Sequence, residues 1–181
     1  YGKFPKISGH RTDLDLLKEC ESMKEVVDMA TNINQINYMK QYFKYNEKPR
    51  TFKKGEKMKV FWYCGNSGTS KTWLAKKMCK SLSKKHNMKV YEKTGQHKWW
   101  DGYDGQEIVL INDFRPNMAY FGELLNMFEE TEYQVEFKGG VRQLKAKYIF
   151  ITTPKSVRKT YKGLLKREGN VLQMERRVEQ Y

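Results

Sequence analysis

Eight residues constrain this chain more than any others: Gly65-Asn66-Ser67-Gly68-Thr69-Ser70-Lys71-Thr72. They follow a short apolar and aromatic run, Val60 to Cys64, that reads as a buried strand. They precede a segment with helical spacing from about Thr72 to His86. A strand, a small-residue loop and a helix at the spacing G-x-x-x-x-G-K-[ST] form a phosphate-binding loop. Small residues let backbone N–H groups turn inward around phosphate oxygens, and the following helix presents its positive end to the anion. Lys71 can then reach the outer phosphates and the Thr72 hydroxyl can ligate magnesium, so ATP and Mg2+ are the expected cofactors. Ser70 stands where the pattern has a glycine. Gly68 supplies freedom two residues earlier, and the loop is expected to be tighter or weaker than usual.

A loop of this kind needs a sheet behind it, and the remaining sequence supplies one. Val90–Tyr91 reads as a strand and Ile108 to Ile111 as a strongly apolar one, ending in Asn112 and Asp113. A carboxylate at such a strand end orients magnesium and the attacking water in P-loop enzymes. Asp113 is the candidate. Asn112 occupies the neighbouring position, where a second acid often stands, and an amide cannot serve as a base. Phe121 to Phe128 has helical spacing. Tyr133 to Phe137 alternates, Gly139–Gly140 turns, and Leu144 to Thr152 reads as the returning strand, with the rest helical. Tyr148 to Thr153 is apolar and ends in Thr152 and Thr153, hydroxyls able to sense a terminal phosphate. Strands alternating with helices predict an α/β sheet with helices on both faces.

Before this region lies a different pattern. Residues 1–11 hold Gly2, Pro5 and Gly9 and read as a linker, and Thr12 to Asp15 fits a helix-capping box. Leu14, Leu17, Val26, Val27, Ala30, Ile33, Ile36, Met39 and Phe43 then suit short helices ending near Pro49. The expected division is 1–49, linker and helical domain, and 50–181, ATPase domain, with residues 50–59 a basic connector.

The chain has 181 residues and a formal net charge of +14. Residues 51–181 hold 12 of the 14 surplus charges. That surplus suits a polyanionic partner, although a lysine-rich solvated surface has the same composition. The three cysteines, Cys20, Cys64 and Cys79, cannot pair completely and have no zinc spacing with the three histidines, which points to a reducing compartment. No apolar run approaches transmembrane length and no signal peptide is seen, so no membrane partner is expected. A chain beginning at Tyr1 is expected to be part of a longer one.

With these positions laid out, the sequence resembles the replication initiator (Rep) proteins of small circular single-stranded DNA viruses such as circoviruses, in their superfamily-three helicase portion. The most specific segment is Lys98-Trp99-Trp100-Asp101-Gly102-Tyr103-Asp104-Gly105, followed by Val135-Glu136-Phe137-Lys138-Gly139-Gly140 and by Gly9-His10-Arg11-Thr12-Asp13-Leu14. The resemblance covers nearly the whole chain in order. It implies a P-loop, AAA+-like ATPase core with a small N-terminal helical oligomerisation domain. Gly65 to Thr72 would be Walker A, Ile108 to Asp113 Walker B and Thr152–Thr153 motif C, with Thr153 at the nucleotide. Lys138, with Gly139, Gly140 and Arg142, would form a hairpin gripping nucleic acid, and Arg176 or Arg177 would be an arginine finger. Single-stranded DNA would be the partner, RNA not excluded, with self-association into a hexameric ring and work in the host nucleus. Pro154 departs from the family, standing where a sensor asparagine is common. With Ser70 and Asn112 it bears on the hydrolysis rate.

Three readings stay open at this level: an ATP-driven translocase, an ATP- and DNA-binding assembly module with weak hydrolysis, and a small-molecule P-loop kinase. Adjacent Trp99 and Trp100 fit core packing or base stacking. Tyr45 and Lys48 have the Y-x-x-K spacing of the family's nicking site, but His10, His86 and His97 are scattered, so this chain is not expected to nick DNA.

Overall fold

The structure is a computed structural model that describes residues 13–95, 97–165 and 171–181. The Gly9–Thr12 part of the Rep-like segment and the capping role of Thr12 lie outside them. The chain forms two compact units, Tyr1–Glu47 and Lys48–Tyr181, a division two residues before the boundary drawn from sequence.

The first unit contains α1 (Asp13–Leu17), α2 (Met23–Met29) and α3 (Ile33–Asn46). Polar residues set the breaks. The Ser22 hydroxyl accepts from the N–H of Glu25, and Asn32 accepts from the N–H of Gln35, so each caps the helix it precedes. Leu17, Cys20, Val26, Met39 and Phe43 form its core. Val27, Met29, Ile33 and Tyr45 remain more than half exposed.

The second unit is built on a five-stranded sheet ordered β2-β3-β6-β1-β7. Its strands are β1 (Lys59–Cys64), β2 (Val90–Lys93), β3 (Ile108–Ile111), β6 (Tyr148–Thr153) and β7 (Val178–Gln180), and every pairing is parallel. All four residues of β3 are buried, as expected of strands covered on both faces. On one face α4 (Lys71–His86) lies over Tyr63, Ile108, Leu110 and Phe150; the other carries the larger core around Trp62, Val109, Ile149 and Ile151. A short 3-10 turn (Pro116–Met118), α5 (Phe121–Met127) and the C-terminal helices α6 (Val157–Thr160), α7 (Lys162–Leu165) and α8 (Val171–Glu175) complete the unit. The expected P-loop α/β core is therefore what the sheet forms.

Three expectations are corrected. The strand returning from Gly139 is β5 (Gly140–Gln143), which pairs antiparallel with β4 (Gln134–Phe137) as a separate two-stranded sheet; β6 runs parallel in the main sheet. The C-terminal segment is not wholly helical, because β7 pairs with β1 and puts β1 inside the sheet. Arg50, expected in a basic connector, is 5% exposed and donates to the carbonyls of Met127, Glu129, Thr131 and Ala146. Its guanidinium is pulled down to about 10 by burial and stays charged at neutral pH. It thereby satisfies carbonyls at the end of α5 that would otherwise be orphaned.

Candidate nucleotide site and hairpin

The eight loop residues lie between the C-terminal end of β1 and the first turn of α4, at the carboxyl ends of the parallel strands, where ligands bind in such folds. The Gly65 N–H donates to the Thr153 carbonyl at 3.3 Å, tying the loop to β6. Gly68 sits at φ 82, and Ser70 adopts φ 57, ψ 17, a left-handed conformation that a glycine would occupy without strain. The Ser70 side chain makes no capping hydrogen bond, leaving the first-turn N–H groups of α4 without that competitor. Lys71 Nζ folds back onto the Asn66 carbonyl and lies 3.1 Å from Thr69 Oγ1. Those two acceptors belong to the loop itself, so an anion of higher charge can displace them.

Opposite the loop, the ends of β3 and β6 meet Thr72. Asn112 Oδ1 accepts from Thr72 Oγ1 at 3.0 Å and from Thr152 Oγ1 at 2.8 Å, while Thr152 Oγ1 accepts from the Asp113 N–H at 2.9 Å. All of the loop except Asn66 lines one cavity of about 570 Å³ with Asn112, Asp113, Arg115, Thr152, Thr153 and Pro154. The structure thus brings the Walker A and Walker B candidates together, with Asn112 as the residue that touches Thr72. Asp113, placed on the metal by sequence, departs from the strand at φ 52 and gives both carboxylate oxygens to Arg115 Nη2, at 2.7 and 3.0 Å. One left-handed residue separates the directions of the two side chains. Thr153 also lines the cavity, with its buried hydroxyl donating to the Phe114 carbonyl, while the Thr152 hydroxyl bonds to Asn112. Sequence reasoning missed Arg115 and the exposed Trp73, which also lines the cavity with Lys77 Nζ 4.9 Å from its ring centroid.

The Lys138 hairpin is mounted on the segment 98–105. Trp100 N–H donates to the Glu136 carbonyl at 2.8 Å, Lys98 pairs with Glu136 at 3.1 Å, and the Lys138 N–H donates to Asp101 Oδ1 at 2.9 Å. The two-residue loop is Lys138-Gly139, with Gly139 at φ 99, and both residues are exposed; Gly140 begins β5 against the Phe137 ring. Arg142, expected to contact nucleic acid, is 3% exposed and paired with Asp104. It points to the inner side of β5, because strand alternation puts it opposite in sense to its neighbour Val141. Trp100 is buried and stacked near Tyr91, which settles it as core; Trp99 is half-buried under Lys98. Of the two arginine-finger candidates, Arg177 is engaged within its own chain by Glu129 at 2.6 Å and by the Gln173 carbonyl, and Arg176 is exposed.

The RNA helicase family profile matches residues 61–155, from β1 past the end of β6. The chain belongs to the RNA helicase family. Within that match fall the phosphate loop, the 98–105 segment, the Asn112–Asp113 strand end and the Lys138 hairpin of this helicase domain. A replication-associated protein of goose circovirus is 39% identical over 93 residues, covering 51% of this chain and 29% of that protein. One from human associated cyclovirus 1 is 28% identical over 154 residues, 82% of this chain and 54% of that protein. A replication protein of onion yellows phytoplasma is 29% identical over 126 residues, 69% of this chain and 32% of that protein. The resemblance to the helicase portion of Rep proteins therefore holds, and the helicase domain spans about half or less of these relatives' length.

Proposed function

We propose that this domain is an ATP-driven translocase and helicase that acts on single-stranded DNA during rolling-circle replication. One observation carries the reading: Thr72, Asn112 and Thr152 converge on a cavity capped by the start of α4 and lined by Gly65 and by Ser67 to Thr72 of the phosphate loop. The loop and first-turn N–H groups bind the phosphates, and Lys71 leaves Asn66 and Thr69 to pair with the outer ones. Among the described residues no cluster of three His, Cys, Asp or Glu side chains stands ready for a metal. Thr72, Asn112 and the Asp113 carboxylate are instead a set suited to magnesium, which takes one or two protein carboxylates and completes its shell with phosphate oxygens and water. Bound there, it would neutralise charge developing on the phosphoryl oxygens. Asp113 orients the attacking water once it shares Arg115 with the nucleotide. Arg176, exposed, is the candidate to complete a neighbouring subunit's site, and exposed Val27, Met29, Ile33 and Tyr45 on the helical unit suit self-association into a ring. Work in the host nucleus belongs to the same reading.

The assembly-module reading has its own support: an amide, not a carboxylate, meets Thr72, and Asp113 is held by Arg115. Both features favour slow hydrolysis. Turnover with and without single-stranded DNA separates the readings. Lys71→Ala should abolish turnover, and mixing it with Arg176→Ala should restore part of it if the arginine acts in trans. A Lys71→Ala variant hydrolysing ATP at the wild-type rate would overturn the site.

A further inference from the structure

Lys93 ends β2 and is 3% exposed. Its ammonium donates to the carbonyls of His97 at 2.7 Å and Trp99 at 2.6 Å and lies 5.6 Å from the Trp100 ring centroid. A methionine would fill this space without the cost of removing a charge from water, so core packing does not account for a lysine here. Its neighbours on either side do. The Lys93 carbonyl accepts the Asn112 N–H at 3.3 Å, and Asn112 is the residue that holds Thr72. In the other direction, the carbonyls that Lys93 holds belong to the segment on which the hairpin is mounted. Trp100 follows Trp99 and donates to Glu136; Asp101 follows Trp100 and accepts from the Lys138 N–H.

We infer that Lys93 is a positioning residue that couples the nucleotide site to the DNA-gripping hairpin, by fixing residues 97–101 between the end of β3 and β4. The inference rests on the helicase reading above. A run of contacts is not by itself coupling; an element with two positions is also required. We assign that role to the hairpin, whose β4 and β5 form their own two-stranded sheet and share no strand pairing with the main one. Movement of Asn112 with Thr72 shifts the β3 end against Lys93, and the 97–101 segment carries that shift to Glu136 and Lys138. Without the ammonium the segment keeps its chain connection but loses its fixed distance from β2.

The test measures binding of a fluorescein-labelled thymidine oligonucleotide to the full chain, with and without a non-hydrolysable ATP analogue. Coupling between sites ordinarily amounts to a factor of about 5–150. In Lys93→Met that factor should fall to near one, with analogue affinity in the absence of DNA unchanged within about twofold. Asp101→Ala, a change at an exposed residue that cuts the tie to Lys138, should do the same and decides the matter if Lys93→Met does not fold. The oligonucleotide's effect on analogue affinity should fall by the same factor, since coupling is reciprocal. If wild type is coupled and both variants keep the wild-type factor, the role of Lys93 is overturned alone. If wild type shows no coupling, the helicase reading fails and this inference falls with it.

Discussion

Lys93→Met also has a thermodynamic signature that can be worked from the structure. Burial pulls the Lys93 ammonium from 10.5 down to about 8, against the opposing pull of the Asp101 carboxylate. At about 1.4 kcal/mol per pH unit, the full effect is about 3 kcal/mol of stability withheld at neutral pH. Below pH 8 both folded and unfolded chains carry the proton, so the whole cost is present. Between pH 8 and 10.5 the folded chain has released it and the unfolded chain has not. The unfolded state then binds more protons, and stability rises with pH. From pH 7 to pH 9.5 wild type should gain about 2 kcal/mol that the methionine variant does not. Buried Tyr91, raised to about 12, opposes the gain only as pH approaches 10 and does so equally in both proteins. Urea unfolding at the two pH values reads the difference as a midpoint shift of about 1 M. Identical pH slopes in the two proteins would show that Lys93 titrates as an ordinary lysine, and the reasoning from its burial would fail.

Three further substitutions probe other parts of the unit. Ser70→Gly should remove about 1–2 kcal/mol of left-handed strain against about 0.5–1 kcal/mol of lost chain entropy; a thermal midpoint unchanged or a few degrees higher is expected, and a clear fall would refute the strain. Lys138→Ala should lower the salt slope of single-strand binding by about 1, while Arg142→Met should leave that slope alone and cost about 3–5 kcal/mol of stability by breaking the buried ion pair with Asp104. An equal salt-slope change in the two variants would put Arg142 on the nucleic acid after all. Asn112→Asp should lower the magnesium concentration for half-maximal turnover, because it adds a carboxylate beside Thr72; an unchanged requirement would remove position 112 from the metal site.

What could be read from sequence was what local chemistry determines. The phosphate loop, the runs Val60–Cys64 and Ile108–Ile111 and the helix after Thr72 all carry their signals within a dozen residues. The errors lie where a partner is distant or one residue's backbone decides. Val178–Gln180 is three residues long and becomes a strand only because β1 is there to pair with it. Arg142 looked like a basic hairpin residue until Asp104, 38 positions earlier, was found against it. Asn112, and not Asp113, meets the Thr72 hydroxyl beside a single positive φ at Asp113, which aspartate adopts more readily than most residues but which the letter alone does not announce. Lys93 carried no sequence signal beyond a charge two residues after the apolar pair Val90–Tyr91.

The position of β1 in the sheet also orders events during folding. Its two neighbours come from far later in the chain, Lys59 pairing with Tyr148 and Val60 with Val178. Parallel pairings over such separations are slow, because a long loop must close before any contact rewards it. On the ribosome, the strand that bears the phosphate loop therefore waits, apolar and unpaired, until β6 and β7 have emerged. Nascent chains of this domain should accordingly depend on chaperones until β6 and β7 are available, and nucleotide should stabilise them only from that point.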